Sequence, residues 1–318
     1  MSTPTLPRPH RRAVRQLLLG LVPVLVVGVV LLGGLGLRLG DARAPLAAAD
    51  ATATATVDGG RSGNRLLVVA FPDAAGRQRT GRIDLARAQD VPAGAQVTVQ
   101  YDPRTPAGRV QPVYVPGDQA HASVTSAVFG LVAVGVVVLA VAVLTGLRLL
   151  RRPRLRRRPA SRVRATHVVH RQGLLVRSWL ELDTAAGMRW LPVHWTPELE
   201  RQVPDTLVEV RGDPARDRLV LPVLDGAEVW PSGRLRDRAP RGDVRQAPVE
   251  PTAADVGLAR QARADGVLPV LAPVLGLLWA YVDGSGLGGF AVATALSAAV
   301  LFWVPQLLGS DPRALSRT

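Results

Sequence analysis

Residues 139–158 read LAVAVLTGLRLLRRPRLRRR, an apolar run that breaks into a dense block of arginine. Nine arginines stand between Arg148 and Arg164 with no acidic residue among them. The run that precedes them, Val124 to Leu147, is 24 residues long and mostly Val, Leu, Ala and Gly. That exceeds the ~20 residues a helix needs to cross about 30 Å of hydrocarbon. Basic residues beside a span favour the cytoplasmic side, so the block marks a helix end held at the inner face of a membrane. The side chains placed to meet anionic headgroups there are Arg148, Arg151, Arg152, Arg154, Arg156, Arg157 and Arg158. Each contributes about 1 kcal/mol close to such a surface.

Three further runs share this character. Leu17 to Leu37 holds 21 residues without a charge, Leu287 to Leu308 holds 22, and Val267 to Val282 holds 16 with Pro269 and Pro273 near its start. DGSG at 283–286 is turn chemistry that lets the last two runs form a helical hairpin. The spans are therefore read as 17–39, 124–150, 267–283 and 286–308. Arg8, Arg11, Arg12 and Arg15 hold the N-terminal tail (1–16) inside, and Arg313 and Arg317 hold the C-terminal tail (309–318) there too. A second reading of the first run is a cleaved signal, since PLAAADA at 45–51 offers small residues, although its apolar core exceeds the usual 7 to 15 residues.

The formal net charge is +14, and all 39 basic residues are arginine. Residues 1–16 carry +4 and residues 148–164 carry +9, whereas 38–123 carry +2 and 165–265 carry −1. The excess sits beside the apolar runs, away from any folded face that would track phosphates, so the pattern speaks against nucleic acid as a partner. There is no cysteine, which excludes thiolate chemistry, disulfides and Cys-ligated zinc.

The two segments between spans resemble each other at an offset of 111 to 112 residues. TATATV (52–57) lies against VRATHVV (163–169), FPDAAG (71–76) against LDTAAG (182–187), and VPAGAQVTVQYDP (91–103) against VPDTLVEVRGDP (203–214). Such self-similarity is the mark of an internal duplication. Short β-branched runs separated by Gly, Pro and Asp predict strands in both copies, with Gly76 and Gly187 at hairpin turns that need positive φ. A short helix is expected after Asp84 and another after Thr196, with Pro197 at its first position. The fold class expected is α+β: four transmembrane helices carrying two small antiparallel, barrel-like β-domains. These are an extracytoplasmic domain at 50–118 and a cytoplasmic one at 161–232, the latter following the Arg-rich juxtamembrane stretch 151–164.

FPDAAGRQRTG (71–81) followed by VPAGAQVTVQYDPRTP (91–106) resembles the bacterial DUF 3592 family, in which a strand ending Y-D-P follows a Gly-led turn and membrane helices flank the domain. The resemblance covers about residues 50–150, with a degenerate second copy at 163–224 where Gly212 stands in place of the tyrosine. It implies a membrane-tethered β-domain and carries no chemistry to any residue.

No P-loop, G-x-S-x-G, H-E-x-x-H or dinucleotide fingerprint occurs. His167 and His170 form H-x-x-H, yet residues three apart on a strand face opposite ways. With His194 they would make a three-His site, the basis of a rival reading as a membrane-bound metal-dependent enzyme. Asp102 and Asp213, each before proline, read as turn formers rather than paired acids. No ionisable residue interrupts the four apolar cores, which weighs against a transport role and leaves a place in a transport complex as the remaining alternative. Ala291, Ala295 and Ala299 form a small-residue stripe suited to helix packing. Trp279, Tyr281 and Trp303 read as an interfacial belt. Residues 233–265 read as a linker, GRLRDRAPRGDVRQAPVEPT (233–252), then a short amphipathic helix capped by Thr252 with Asp255. The expectation is a non-enzymatic, multi-pass protein of the plasma membrane without cofactor or metal. It would act as scaffold, sensor or accessory subunit, with anionic lipid and other membrane proteins as partners.

Overall fold

The computed structural model describes residues 10–59, 65–106 and 108–313. The tail arginines Arg8 and Arg317 lie outside them. The chain forms two compact units, one of residues 29–136 and one of residues 1–28 with 137–318. Two long helices, α1 (Arg11–Ala48) and α2 (Gln119–Arg151), contribute to both.

In the 29–136 unit five strands follow α1: β1 (Ala51–Gly59), β2 (Leu66–Pro72), β3 (Gln78–Asp84), β4 (Gln96–Tyr101) and β5 (Gln111–Pro112). Their order is β4-β1-β2-β3-β5. Residues of β3 alternate outward and inward, so Arg79, Gly81 and Ile83 face the core. The sheet curls until its ends meet, because β5 pairs with β3 in parallel and Tyr114 exchanges backbone bonds of 2.8 and 2.9 Å with Gln100 of β4. Gly81 permits that closure, since a Cβ there would stand 2.8 Å from Val113 and 3.1 Å from Phe71. Val57, Val69, Phe71, Ile83, Val99 and Tyr101 fill the centre.

The expected helix after Asp84 does not form. Leu85 is drawn into the core, its N–H donates to the Arg65 carbonyl, and it bridges Asp118, so its backbone is committed to sheet-like pairing. Gly76 takes φ 75° in the β2–β3 turn, as expected. The two sequence pieces that carried the family resemblance touch each other here. Tyr101 Oη accepts from the Ala74 N–H at 3.2 Å, joining FPDAAG to the Y-D-P strand end.

The second unit holds β6 (Ala160–Gln172), β7 (Leu175–Thr184), β8 (Gly187–Val193), α3 (Pro197–Arg201), β9 (Thr206–Arg211), β10 (Leu221–Leu224), β11 (Ala227–Glu228) and β12 (Asp243–Gln246). Strand order β9-β6-β7-β8 repeats β4-β1-β2-β3 of the first barrel, with β10 and β11 added beside β9. Bridges from Val193 to Pro231 and from Trp190 to Arg236 close this sheet as well. Residues 231–246 are thus part of the barrel. The linker reading of 233–252 is corrected accordingly, because Asp243–Gln246 pairs with β6 through Asp243↔Arg171 to Gln246↔Val168.

Three helices complete this unit: α4 (Leu258–Asp265), α5 (Ala272–Asp283) and α6 (Gly286–Leu308). The capping expectation at Thr252 is also corrected. α4 begins only after Gly257, and Asp255 pairs with Arg12 instead. The run at 267–283 opens as a 3₁₀ turn (Leu268–Leu271) before the 12-residue α5, as two prolines close together dictate. α5 and α6 form the expected hairpin around Gly284 (φ 66°) and Gly286 (φ 61°). The two helices approach closely at Gly276, where a Cβ would lie 2.0 Å from Thr294 Oγ1, and of the alanine stripe only Ala299 is buried. Trp303 is not interfacial. It is buried, and its Nε1–H donates to Thr145 Oγ1 of α2 at 2.9 Å.

Candidate functional site, a buried polar junction

The second barrel is joined to the helices through polar groups. β8 leads out through His194 and Trp195, which meet the first turns of α1, the C-terminal end of α6 and α4. Gln16 of α1 stands at the centre, fully buried. Its Nε2 donates to the carbonyl and Oγ of Ser310 at 3.2 Å each, and its Oε1 contacts His194 Nδ1 at 3.3 Å. Gln261 of α4 reaches the same Ser310, donating to Oγ at 2.9 Å, and to Asp265 at 2.8 Å. α6 ends in a left-handed Gly309 (φ 73°), which turns Ser310 and Asp311 onto β7. The Asp311 N–H then donates to the Val176 carbonyl at 2.9 Å. Each buried polar group left unmatched costs about 1–3 kcal/mol, so these residues specify one docking geometry.

Aromatic residues frame the network. Trp195 is fully buried, with Arg12 at 4.5 Å and Arg313 at 5.3 Å from its ring, and its Nε1–H donates to buried Glu200 at 2.7 Å. His10 stacks on Trp230 at 5.2 Å. Burial first, and Arg156 second, push His10 down to about 3. Burial, then the charges of Arg148, His10, Arg152 and Arg177, hold His194 well below the ordinary histidine range. At neutral pH both rings are neutral, and the tautomer of His194 that bonds Gln16 Oε1 carries its proton on Nδ1.

The seven arginines expected at lipid divide into two groups. Arg148 donates to the Leu307 carbonyl at the end of α6, and Arg152 is buried. Arg156 makes a bidentate bond to Glu228 at 2.5 and 2.8 Å, and Arg158 pairs with Asp217 at 2.7 Å. Arg151, Arg154 and Arg157 are exposed. The block is thus half structural clamp and half open cationic surface.

The candidate metal histidines are not brought together. His167 and His170 occupy opposite faces of β6, and His194 belongs to the junction. Among the described residues no group of three or more His, Asp or Glu is placed to hold a metal ion. Asp102 accepts from the Arg104 N–H at 2.9 Å, and Asp213 accepts from the Ala215 N–H at 2.8 Å, which are turn bonds. Gln16, Gln261 and Ser310 escaped sequence reasoning because the bonds that join them to one another and to His194 span 49 to 294 residues. Their one local signal is position: each is a polar residue close to an end of an apolar run. No known family, curated protein or solved structure matches this chain.

Proposed function

We propose that this chain is a non-enzymatic, multi-pass membrane protein that carries one barrel on each side of the membrane. It would serve as a sensor, scaffold or accessory subunit, with its first barrel related to the DUF 3592 family. Four helices are long and apolar enough to cross a bilayer, Arg11–Ala48, Gln119–Arg157, Leu258–Asp283 and Gly286–Leu308. Apolar side chains such as Val29, Val30, Leu139, Val274 and Leu277 stay exposed on them, as lipid-facing residues do. Arginine near the inner ends supports a cytoplasmic second barrel and an extracytoplasmic first barrel.

The observation that carries the reading is the buried junction at Gln16, His194, Gln261 and Ser310. A barrel merely tethered for localisation needs only a flexible linker. One whose outgoing strand bonds α1 through His194 and Gln16, with Gln16 tied in turn to α4 and the end of α6 through Ser310, moves with them, which is what a transmitting subunit requires. The absence of cysteine makes the layout testable. Ala75→Cys and Ala186→Cys place single thiols in the two exposed hairpin turns. On intact cells an impermeant maleimide should label Ala75→Cys and spare Ala186→Cys until the membrane is opened. Equal labelling of both would sink the layout. Gln16→Leu should leave that pattern unchanged and raise the protease sensitivity of the second barrel.

A further inference from the structure

A cleft of about 630 Å³ opens on the outer face of the second barrel, lined by Arg177, Arg236, Arg238 and Arg241 around His170 and Trp179. The sheet register builds it. His170 of β6 and Arg177 of β7 are paired directly, and Trp179 lies two residues on along the same face. After the Trp190↔Arg236 bridge the chain arches over this face and returns as β12, leaving residues 237–242 as the rim. Gly242 (φ 134°) lets the rim press close, since a Cβ there would lie 2.7 Å from His170 Nε2. The Arg241 carbonyl consequently accepts from His170 Nε2 at 2.8 Å.

The cleft holds cationic charge without a matching anion. None of its four arginines makes an ion pair among the described residues, and the single acid at the rim, Asp237, is taken by Arg189 at 2.9 Å. Arg177 and Arg236 both lie 5.2 Å from the Trp179 ring, a contact that orients the guanidiniums without neutralising them. Trp179 Nε1 and His170 Nδ1 are buried and have no hydrogen-bond partner. Like charges converging on a concavity repel one another, and buried polar atoms without partners add to that cost. An anion in the cleft relieves the repulsion and offers an acceptor to the Trp179 Nε1–H.

We propose that this cleft binds a phosphate-bearing ligand, one presenting a phosphomonoester or diphosphate group. Arginine forks match phosphate oxygens two at a time, and four of them suit a multiply charged group better than a single carboxylate. The Trp179 ring is only 1% exposed, so it offers no stacking surface to a nucleobase, and recognition rests on the phosphate. Arg177 also donates to the Leu308 carbonyl at 2.9 Å and to Ser232 Oγ at 3.2 Å, so an occupant that draws on Arg177 acts on the C-terminal end of α6.

The test uses the full chain in nanodiscs of zwitterionic phosphatidylcholine, titrated calorimetrically with inorganic pyrophosphate at low salt. One site per chain is expected. Arg236→Ala with Arg238→Ala, both exposed positions, should weaken binding about a hundredfold, roughly tenfold for each charged bond lost. Arg151→Ala, Arg154→Ala and Arg157→Ala together should leave it unchanged. Phosphatidic acid added to the discs separates the sources: loss of the pyrophosphate isotherm assigns the cleft to a lipid headgroup, and an unaltered isotherm assigns it to a soluble phosphate compound. Failure of the unmutated protein to bind pyrophosphate, or equal binding by the Arg236 and Arg238 variant, overturns the proposal.

Discussion

The two barrels share a four-strand order and differ in what surrounds it. The first closes on itself with β5 and Tyr114, and its buried carboxylates are answered within the same unit: Asp73 accepts from Arg79 Nε at 2.9 Å and from the N–H groups of Ala75 and Arg77, and Asp118 accepts from the N–H groups of Val115 and His121. The second barrel adds β10, β11, β12 and a long closing segment, and sends its polar residues outward to helices. One strand pattern therefore serves both as a self-contained module and as a docked one. What distinguishes them is where buried polar groups find partners, not how the strands pair.

Removing the aromatic anchor of the docked barrel should break the comparison most strongly. Trp195→Ala empties a site held between Arg12 and Arg313 and leaves Glu200 without its indole donor, at a cost of about 3–5 kcal/mol. Limited proteolysis should then cut the second barrel readily and the first no faster than before. Equal sensitivity in both would mean that the barrels do not unfold separately.

Acid should distinguish them next. His10, pushed down to about 3 from 6.5, and His194, also held below 6.5, are neutral when folded and bind protons when unfolded. Their contribution is complete above pH 6.5 and is lost as pH falls below it, at up to about 1.4 kcal/mol per pH unit for each group. In the first barrel burial alone would raise Asp73, but the bonds from Arg77, Arg79 and the Ala75 N–H outweigh it and hold the carboxyl at about 2, below the ordinary 3.8. That contribution is present above pH 3.8 and disappears towards pH 2. Hydrogen exchange across a pH series should show the His194→Gln variant losing part of the wild-type slope between pH 6.5 and 4 in the second barrel alone. Asp73→Asn should flatten only the response of the first barrel below pH 4.

Much of the strand layout was legible in sequence because it rests on local pattern: the alternation in QRTGRID, the turn glycines Gly76 and Gly187, and proline at the start of α3. The junction was not, because Gln16 and Ser310 are ordinary polar residues until α6 and β8 bring them together. The stretch 233–252 reads as a linker on composition, since Pro, Gly and charge dominate it. It forms β12 because β6 is 13 residues long and β9 pairs only with its first part, leaving Val168 to Arg171 with an open edge. Long-range supply of a free strand edge overrode local propensity there.

The smallest expected effect sharpens the same lesson. Thr252 and Thr196 both look like helix caps, and Thr196 does occupy the position before α3, yet its side chain makes no capping bond. Its Oγ1 is buried without a partner. A working threonine cap is worth about 1 kcal/mol, so a true cap would reveal itself on removal. At Thr196 the hydroxyl carries desolvation cost without return, and Thr196→Val keeps the shape while removing it. The change should leave stability within about 0.5 kcal/mol or raise it slightly, as should Thr252→Ala, whose helix starts after Gly257. A loss near 1 kcal/mol at Thr196 in denaturant melts of the full chain would mean that α3 is held by its own terminus. No loss means that it is held by Leu199 and Glu200, buried beneath the docked barrel, which places even this one-turn helix on the side of tertiary packing.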